Sequence, residues 1–237
     1  MKILAIECSA TPVSAAIISD GEIISYSFSN IKLTHSQTLF PIIESVLSAA
    51  RLSFQDIDAV SVATGPGSFT GLRIGIASAK GLAEPKKLKC VGVSTLLSAA
   101  YMFLGENAII CPVIDARCSQ VYNALFEVNG AALTRLCEDR AIMIDDLAGE
   151  LKSIKDKRII LCCDAAETVL KACNYEKNIT LATPALRQQS AAGVGIYAYK
   201  AIKEGRFSDC DELNPIYLKL PQAERELKAK QEGKVNL

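Results

Sequence analysis

Ala63-Thr64-Gly65-Pro66-Gly67-Ser68-Phe69-Thr70-Gly71-Leu72-Arg73-Ile74-Gly75 follows a short apolar run, Ala59 to Ala63, and leads into helix-like sequence that ends before Pro85. A glycine-rich turn between strand and helix is where α/β proteins present backbone N–H groups, often to an anion. The familiar nucleotide fingerprints do not fit. Gly65, Gly67 and Gly71 leave one residue too many for G-x-G-x-x-G, and Leu72 and Arg73 stand where a P-loop needs Lys and a hydroxyl residue. Pro66 also removes one donor from the turn. The loop is special without being a standard phosphate cradle.

Working outward, the 237 residues suit one large domain or two small ones. Half are hydrophobic and the formal net charge is zero, which excludes the strong basic field of a protein that binds nucleic acid unaided, and the absence of Trp argues against an aromatic stacking platform. Nine cysteines in no disulfide-like pattern, behind an N-terminus without a secretory h-region, predict a reducing, cytoplasmic setting with the thiols as small buried hydrophobes. No apolar run reaches membrane-spanning length, and no Cys/His cluster has zinc spacing.

Lys2 to Glu7 reads as a buried strand closed by a polar turn. Val13 to Ser19 and Glu22 to Phe28 flank Asp20-Gly21, a hairpin signal. Leu39, Ile42, Ile43, Val46, Leu47 and Ala50 form an amphipathic helical stripe. Its start is either a Thr34/Gln37 capping box or Thr38, which would put Pro41 in the first turn. His35, the one histidine, lies here, and a lone His at a helix start is more often a cap or packing residue than a ligand. The helix after the glycine loop carries Leu72, Ile76, Ala79 and Ala83 on one face, with Gly71, Gly75 and Ser78 keeping its surface smooth. It suits packing on its own sheet or against a partner helix.

Lys89 to Val93 reads as a strand and Thr95 to Leu104 as a helix, and then the opening pattern recurs. Ile109 to Ile114 ends in Asp115 as the first strand ends in Glu7, a polar turn follows, and Val121 to Val128 runs to Asn129-Gly130. Two copies of strand, acid and hairpin predict an internally duplicated α/β architecture. Asp145 to Leu151, Asp164 to Asn174 and Ser190 to Lys203 read as helices, the last rich in Ala and Gly, and Arg158 to Cys163 as a strand. Asn214 to Leu218 reads as extended, and the interleaved charges of Pro221 to Lys234 as a solvated helix or tail.

Ile3-Leu4-Ala5-Ile6-Glu7-Cys8-Ser9, His35-Ser36-Gln37-Thr38-Leu39-Phe40-Pro41, the glycine stretch and Ile114-Asp115-Ala116-Arg117 occur in this order. The set resembles the bacterial TsaB (YeaZ) family, most strongly from Met1 to about Val93. The resemblance implies a two-lobed actin-like, sugar-kinase and Hsp70 ATPase (ASKHA) fold with duplicated mixed-sheet βββαβα lobes. The N-terminal lobe would be residues 1–103, joined by 205–237, and a degenerate second lobe residues 104–204.

The family is similar to TsaD, its catalytic paralogue, which holds metal through H-x-x-x-H and transfers threonylcarbamoyl from its AMP adduct to adenosine 37 of tRNAs reading codons that begin with A. A motif of two histidines one helical turn apart cannot be built from one histidine. The resemblance therefore implies a non-catalytic subunit that dimerises with TsaD, recruits the TsaE ATPase, meets tRNA through the complex and forms a homodimer in the partner's absence. ATP and metal would belong to the partners, with room left for a nucleotide at an interface. His35, Leu39, Ile43, Val46, Leu72, Gly75, Ile76 and Ala79 are the expected partner interface. Gly65, Pro66, Gly67, Gly71 and Arg73 are the structural loop, and no catalytic or metal residue is assigned. Two enzyme alternatives stand beside this. One is an ATPase or phosphotransferase using Glu7, Ser9, Asp115 and the glycine loop. The other is a peptidase, for which His35 is the sole imidazole and no nucleophile signature exists.

Overall fold

The computed structural model describes residues 1–31 and 33–219, so the expected charged helix of Pro221 to Lys234 lies outside the described residues. The first half contains β1 (Lys2–Glu7), β2 (Val13–Ser19), β3 (Glu22–Ser29), α1 (His35–Ala49), β4 (Ala59–Gly65), α2 (Phe69–Ala83), β5 (Lys89–Ser94) and α3 (Thr95–Tyr101). The second contains β6 (Asn107–Asp115), β7 (Gln120–Asn123), β8 (Phe126–Asn129), β9 (Ala132–Arg135), β10 (Arg140–Met143), α4 (Ile144–Ser153), β11 (Ile159–Cys162), α5 (Ala166–Ala172), β12 (Ile179–Leu181) and α6 (Ala191–Lys203).

The duplication is visible in the pairing. The first sheet runs β3-β2-β1-β4-β5 and the second β10-β7-β6-β11-β12. In each, the first strand has an antiparallel neighbour on one side, β2 or β7, and a parallel one on the other, β4 or β11. Asp20 and Gly21 take φ of 50° and 93°, the left-handed pair that a two-residue hairpin turn requires. Val121 to Val128 is not one strand. It breaks at Ala124 and Leu125, so that β7 pairs the end of β6 and β8 its beginning. The Asn123 amide at the break donates to the Pro112 and Ala124 carbonyls, supplying partners the ladder loses there.

Side chains alternate across each sheet, as the strand period requires. Leu4, Ile6, Ala15, Ile17, Val60 and Val62 meet α1 and α2 on one face. Ile3, Ala5, Ala16 and Ile18 meet Val194, Ala198 and Ala201 of α6 on the other. In the second half, α4 and α5 cover one face, whereas Leu96, Ala99 and Ala100 of α3 pack with Ile110, Phe126 and Ile160 on the other. Each half thus gives its last helix to the other half's sheet. The expected boundaries, drawn along the sequence, cross this exchange. α6 lies within 104–204 by sequence but packs on the first sheet, and α3 lies within 1–103 but packs on the second. The small residues of α6 give the reason. A Cβ on Gly193 would stand 2.0 Å from the Ser98 carbonyl oxygen, and one on Gly195 would stand 2.3 Å from Ile18 Cγ1. The described part of the C-terminal segment returns to the first lobe, where Ser208 exchanges backbone hydrogen bonds with Cys90.

Helix α1 begins at His35 with Thr34 as its N-cap, but the predicted capping box does not form. The Thr34 hydroxyl bonds the Gln37 side chain at 2.8 Å rather than a backbone N–H. Pro41 lies inside the helix, on its exposed side.

Candidate functional site

The two lobes enclose an open cleft of about 530 Å³. Ser9, His35 and the Gly67–Thr70 turn line it from the first lobe, Asp115, Arg117 and Asp164 from the second, and Tyr217 and Lys219 from the C-terminal segment.

Three of the glycine loop's donors are spent within the chain. Ser68 N–H donates to the Ser9 carbonyl at 2.6 Å, and Leu72 N–H to the Ser68 carbonyl. Gly71 N–H donates to the Ser68 hydroxyl at 3.2 Å, which caps α2. The glycines make room for backbone instead. A Cβ on Gly67 would lie 2.3 Å from the Ser9 oxygen, one on Gly71 2.0 Å from the Cys8 oxygen, and one on Gly65 2.5 Å from the Ile216 oxygen. At Gly65, φ of +123° also demands glycine. Strand β4, the turn after β1 and the C-terminal segment therefore meet at backbone contact distance, and the loop is the joint among them.

The two strand-terminal acids occupy different environments. Glu7 is 1% exposed and lies beneath the cleft wall rather than in it. Its Oε1 accepts from Ser9 N–H at 2.5 Å, while Oε2 has no hydrogen-bond partner among the described residues. Burial pushes its carboxyl up to about 7, and hydrogen bonding from Ser9 offsets only part of that rise. Asp115 opens onto the cleft, accepting from Arg117 N–H at 2.8 Å and pairing with the Arg117 guanidinium at 3.4 Å. Asp164 accepts from Asp115 N–H at 3.1 Å. The shared pair of cleft-facing acids expected for a phosphotransferase is therefore Asp115 with Asp164, not with Glu7.

His35 acts as a fastener. Its Nε2 donates to the Ala10 carbonyl at 2.8 Å, tying the start of α1 to the turn after β1. The remaining expected interface residues face inward in this chain. Leu39, Ile43 and Val46 of α1, and Leu72, Gly75, Ile76 and Ala79 of α2, are buried, mostly in the core beneath their own sheet. The apolar stripe of each helix goes to the nearest apolar surface, which is the chain's own. What these helices show to solvent is the complement: Phe40, 48% exposed, with Pro41 and Glu44 on α1, and Arg73, Ala77 and Gly81 on α2.

Sequence reasoning missed the surroundings of Arg73. Its Cζ lies 3.8 Å above the Phe69 ring, Tyr217 stacks on Phe69 at 4.9 Å, and Arg73 Nε donates to the Tyr217 hydroxyl at 2.9 Å. The hint available was an aromatic four residues before an arginine on one helix face, but Tyr217 lies 144 residues further on. All nine cysteines are free, and only Cys118 and Cys137 are not buried. Among the described residues, one group of three ligand-type side chains comes together, Glu84, Cys210 and Asp211. There the Cys210 thiol is spent on Glu84 at 2.7 Å, and Lys80 donates to the Asp211 carbonyl.

The TsaD family model, described as tRNA N6-adenosine threonylcarbamoyltransferase, matches residues 29–227. The tRNA threonylcarbamoyladenosine biosynthesis protein TsaB of Bacillus subtilis is 30% identical over 231 residues, covering 94% of this chain and 96% of its own. The structure of YeaZ from Pseudomonas aeruginosa aligns with a TM-score of 0.75 at 22% identity, over 92% of this chain and 99% of that one. A ROK hexokinase from Thermus thermophilus shares the two-lobed fold at a TM-score of 0.50 and 12% identity, over 86% of this chain and all of its own. The relationship runs from end to end in sequence and is matched by the fold, and on that ground the chain belongs to the TsaB (YeaZ) family.

Proposed function

We propose that this chain is an accessory subunit of the machinery that makes threonylcarbamoyladenosine on tRNA, and that it acts by pairing with TsaD rather than by chemistry of its own. The observation that carries this is the end-to-end match to the TsaB of Bacillus subtilis, in a chain whose single histidine cannot form the paralogue's H-x-x-x-H metal site. The inward use of the Ser68, Gly71 and Leu72 N–H groups supports it, since a phosphate at that turn would find those three donors taken.

The docking surface for TsaD is the exposed side of α1 and α2, with Phe40 as its apolar anchor and Ala77 and Gly81 allowing near approach of a partner helix. These are the two helices expected from the sequence, turned so that the opposite face meets the partner. A homodimer through the same surface forms when TsaD is absent. The pair then recruits TsaE and meets tRNA, the nucleotide and metal being held by the partners or at their interface. The setting is the cytoplasm; among the described residues no helix is long and apolar enough to cross a membrane.

The test is reconstitution with TsaD, TsaE, ATP, threonylcarbamoyl-AMP and tRNA, with and without this chain, reading modified adenosine by mass spectrometry. Multiple turnovers only in its presence, with none from the chain alone, are the expected result. Equal product without it removes the proposal.

A further inference from the structure

Residues 213–219 leave the first lobe, cross the glycine loop and end on the second lobe. Leu213 is buried in the first core, beside Gly92. Ile216 N–H donates to the Thr64 carbonyl at 2.8 Å, and the Ile216 carbonyl fills the space a Cβ on Gly65 would need. Tyr217 stacks on Phe69 and accepts from Arg73. Two residues on, Lys219 Nζ donates to the Ala116 carbonyl at 2.8 Å and to Gln120 Oε1 at 2.5 Å. Ala116 belongs to the turn between β6 and β7, on the far wall of the cleft, and Gln120 closes that turn as the first residue of β7.

That turn is strained. Arg117, Cys118 and Ser119 have φ of 64°, 53° and 56°, three consecutive non-glycine residues in the left-handed region. Such a run persists only where its surroundings over-determine it. Here Gln120 N–H donates to the Arg117 carbonyl, Ala116 N–H to the Gln120 carbonyl, and Ile144 N–H to the Ser119 carbonyl. Asp115 holds Arg117 N–H from one side, and Lys219 supplies the remaining tie from the other lobe.

We propose that residues 213–219 form an interlobe latch, in which a segment anchored on the glycine loop uses Lys219 to hold the left-handed 116–120 turn and thereby sets the opening of the cleft. The latch gives the glycine loop a purpose that a phosphate site does not: Gly65 exists to let the strap pass. It also makes the conformation of a second-lobe turn depend on contacts that Tyr217 makes on the first lobe.

Amide hydrogen exchange by NMR on the full chain tests this. Lys219→Met keeps the stem and removes the donor. The amides of Ala116, Gln120 and Ile144 are expected to exchange at least ten-fold faster, and Lys219→Arg, which retains donors, within about three-fold of the parent. Tyr217→Ala is the deciding variant, because its ring and hydroxyl contacts described above lie on the first lobe. The same three amides should accelerate with it. Unchanged exchange in Lys219→Met overturns the latch. Acceleration there without acceleration in Tyr217→Ala also overturns it, leaving a local hydrogen bond. Retained protection of β1 and β4 amides registers that each variant is folded.

Discussion

Replacing Gly71 by alanine separates the two meanings of a glycine-rich loop. The added methyl would stand 2.0 Å from the Cys8 carbonyl oxygen, where ordinary contact begins at 3.4 Å, so one backbone must retreat by about 1.4 Å. Neither can do so easily. Cys8 follows directly on β1 in the middle of the first sheet, and the turn behind it is clamped by the 2.6 Å bond from Ser68 to Ser9. Overpacking a well-filled core costs roughly 1–3 kcal/mol, and a clash between two backbones belongs at the upper end. At about 3 kcal/mol a domain of this size loses roughly 6–12 °C in Tm. Gly81, on the same helix, is the internal control, because a Cβ there meets none of the described residues within 4 Å. Gly81→Ala should gain about 0.5–1 kcal/mol from helix propensity alone. Both chains are compared by circular dichroism melts and urea titrations. A Gly71→Ala chain melting within 1 °C of the parent would refute the packing account, and would return the loop to the class of ligand cradles that lose function without losing stability.

Leu39→Ala should cost about 2–5 kcal/mol of stability, the range for emptying a buried leucine site, and should be read by urea unfolding. Its neighbour Phe40→Ala should leave the melt within about 2 °C but weaken association with TsaD at least ten-fold by calorimetry, the loss typical of an interface anchor; equal affinity would move the docking face elsewhere. Glu7 titrates near 7 when folded against about 4.5 when free, so it binds more protons in the native state. Its contribution is therefore fully present below about pH 4.5 and is lost as pH rises to about 7, a change of roughly 3 kcal/mol. Glu7→Gln should flatten that window, raising the urea midpoint at pH 8 relative to the parent and not at pH 4.5.

The fold was legible because its signals are local or repeated. Asp20-Gly21 states a hairpin in two residues, and the recurrence of an apolar strand ending in Glu7 and again in Asp115 states the duplication. Failures fall where the deciding contact is distant. Nothing near Ala124 says that Val121 to Val128 must break, because the break is made by pairing with opposite ends of β6. The exchange of α3 and α6 between sheets is hidden for the same reason. Gly193 and Gly195 announce a close approach without saying to what, and the answers, Ser98 and Ile18, come from another helix and from the other lobe's sheet.

The site shows the same limit in a sharper form. An amphipathic stripe tells which residues leave water, not whether the surface that receives them belongs to the same chain. Leu39, Ile43 and Ile76 carry that ambiguity, and proximity decides it: their own sheet is covalently present at very high effective concentration, whereas a partner must arrive by diffusion. A subunit that folds before it assembles must spend its strongest stripe on itself. Under the proposed pairing, the surface left for assembly is the weaker complement of the pattern, a Phe40 among exposed neighbours and a pair of small residues on α2, which periodicity alone scores as solvent. If Phe40→Ala weakens the pairing, partner faces are better sought on the polar side of a regular stripe, where one large apolar residue has no place in the chain's own core.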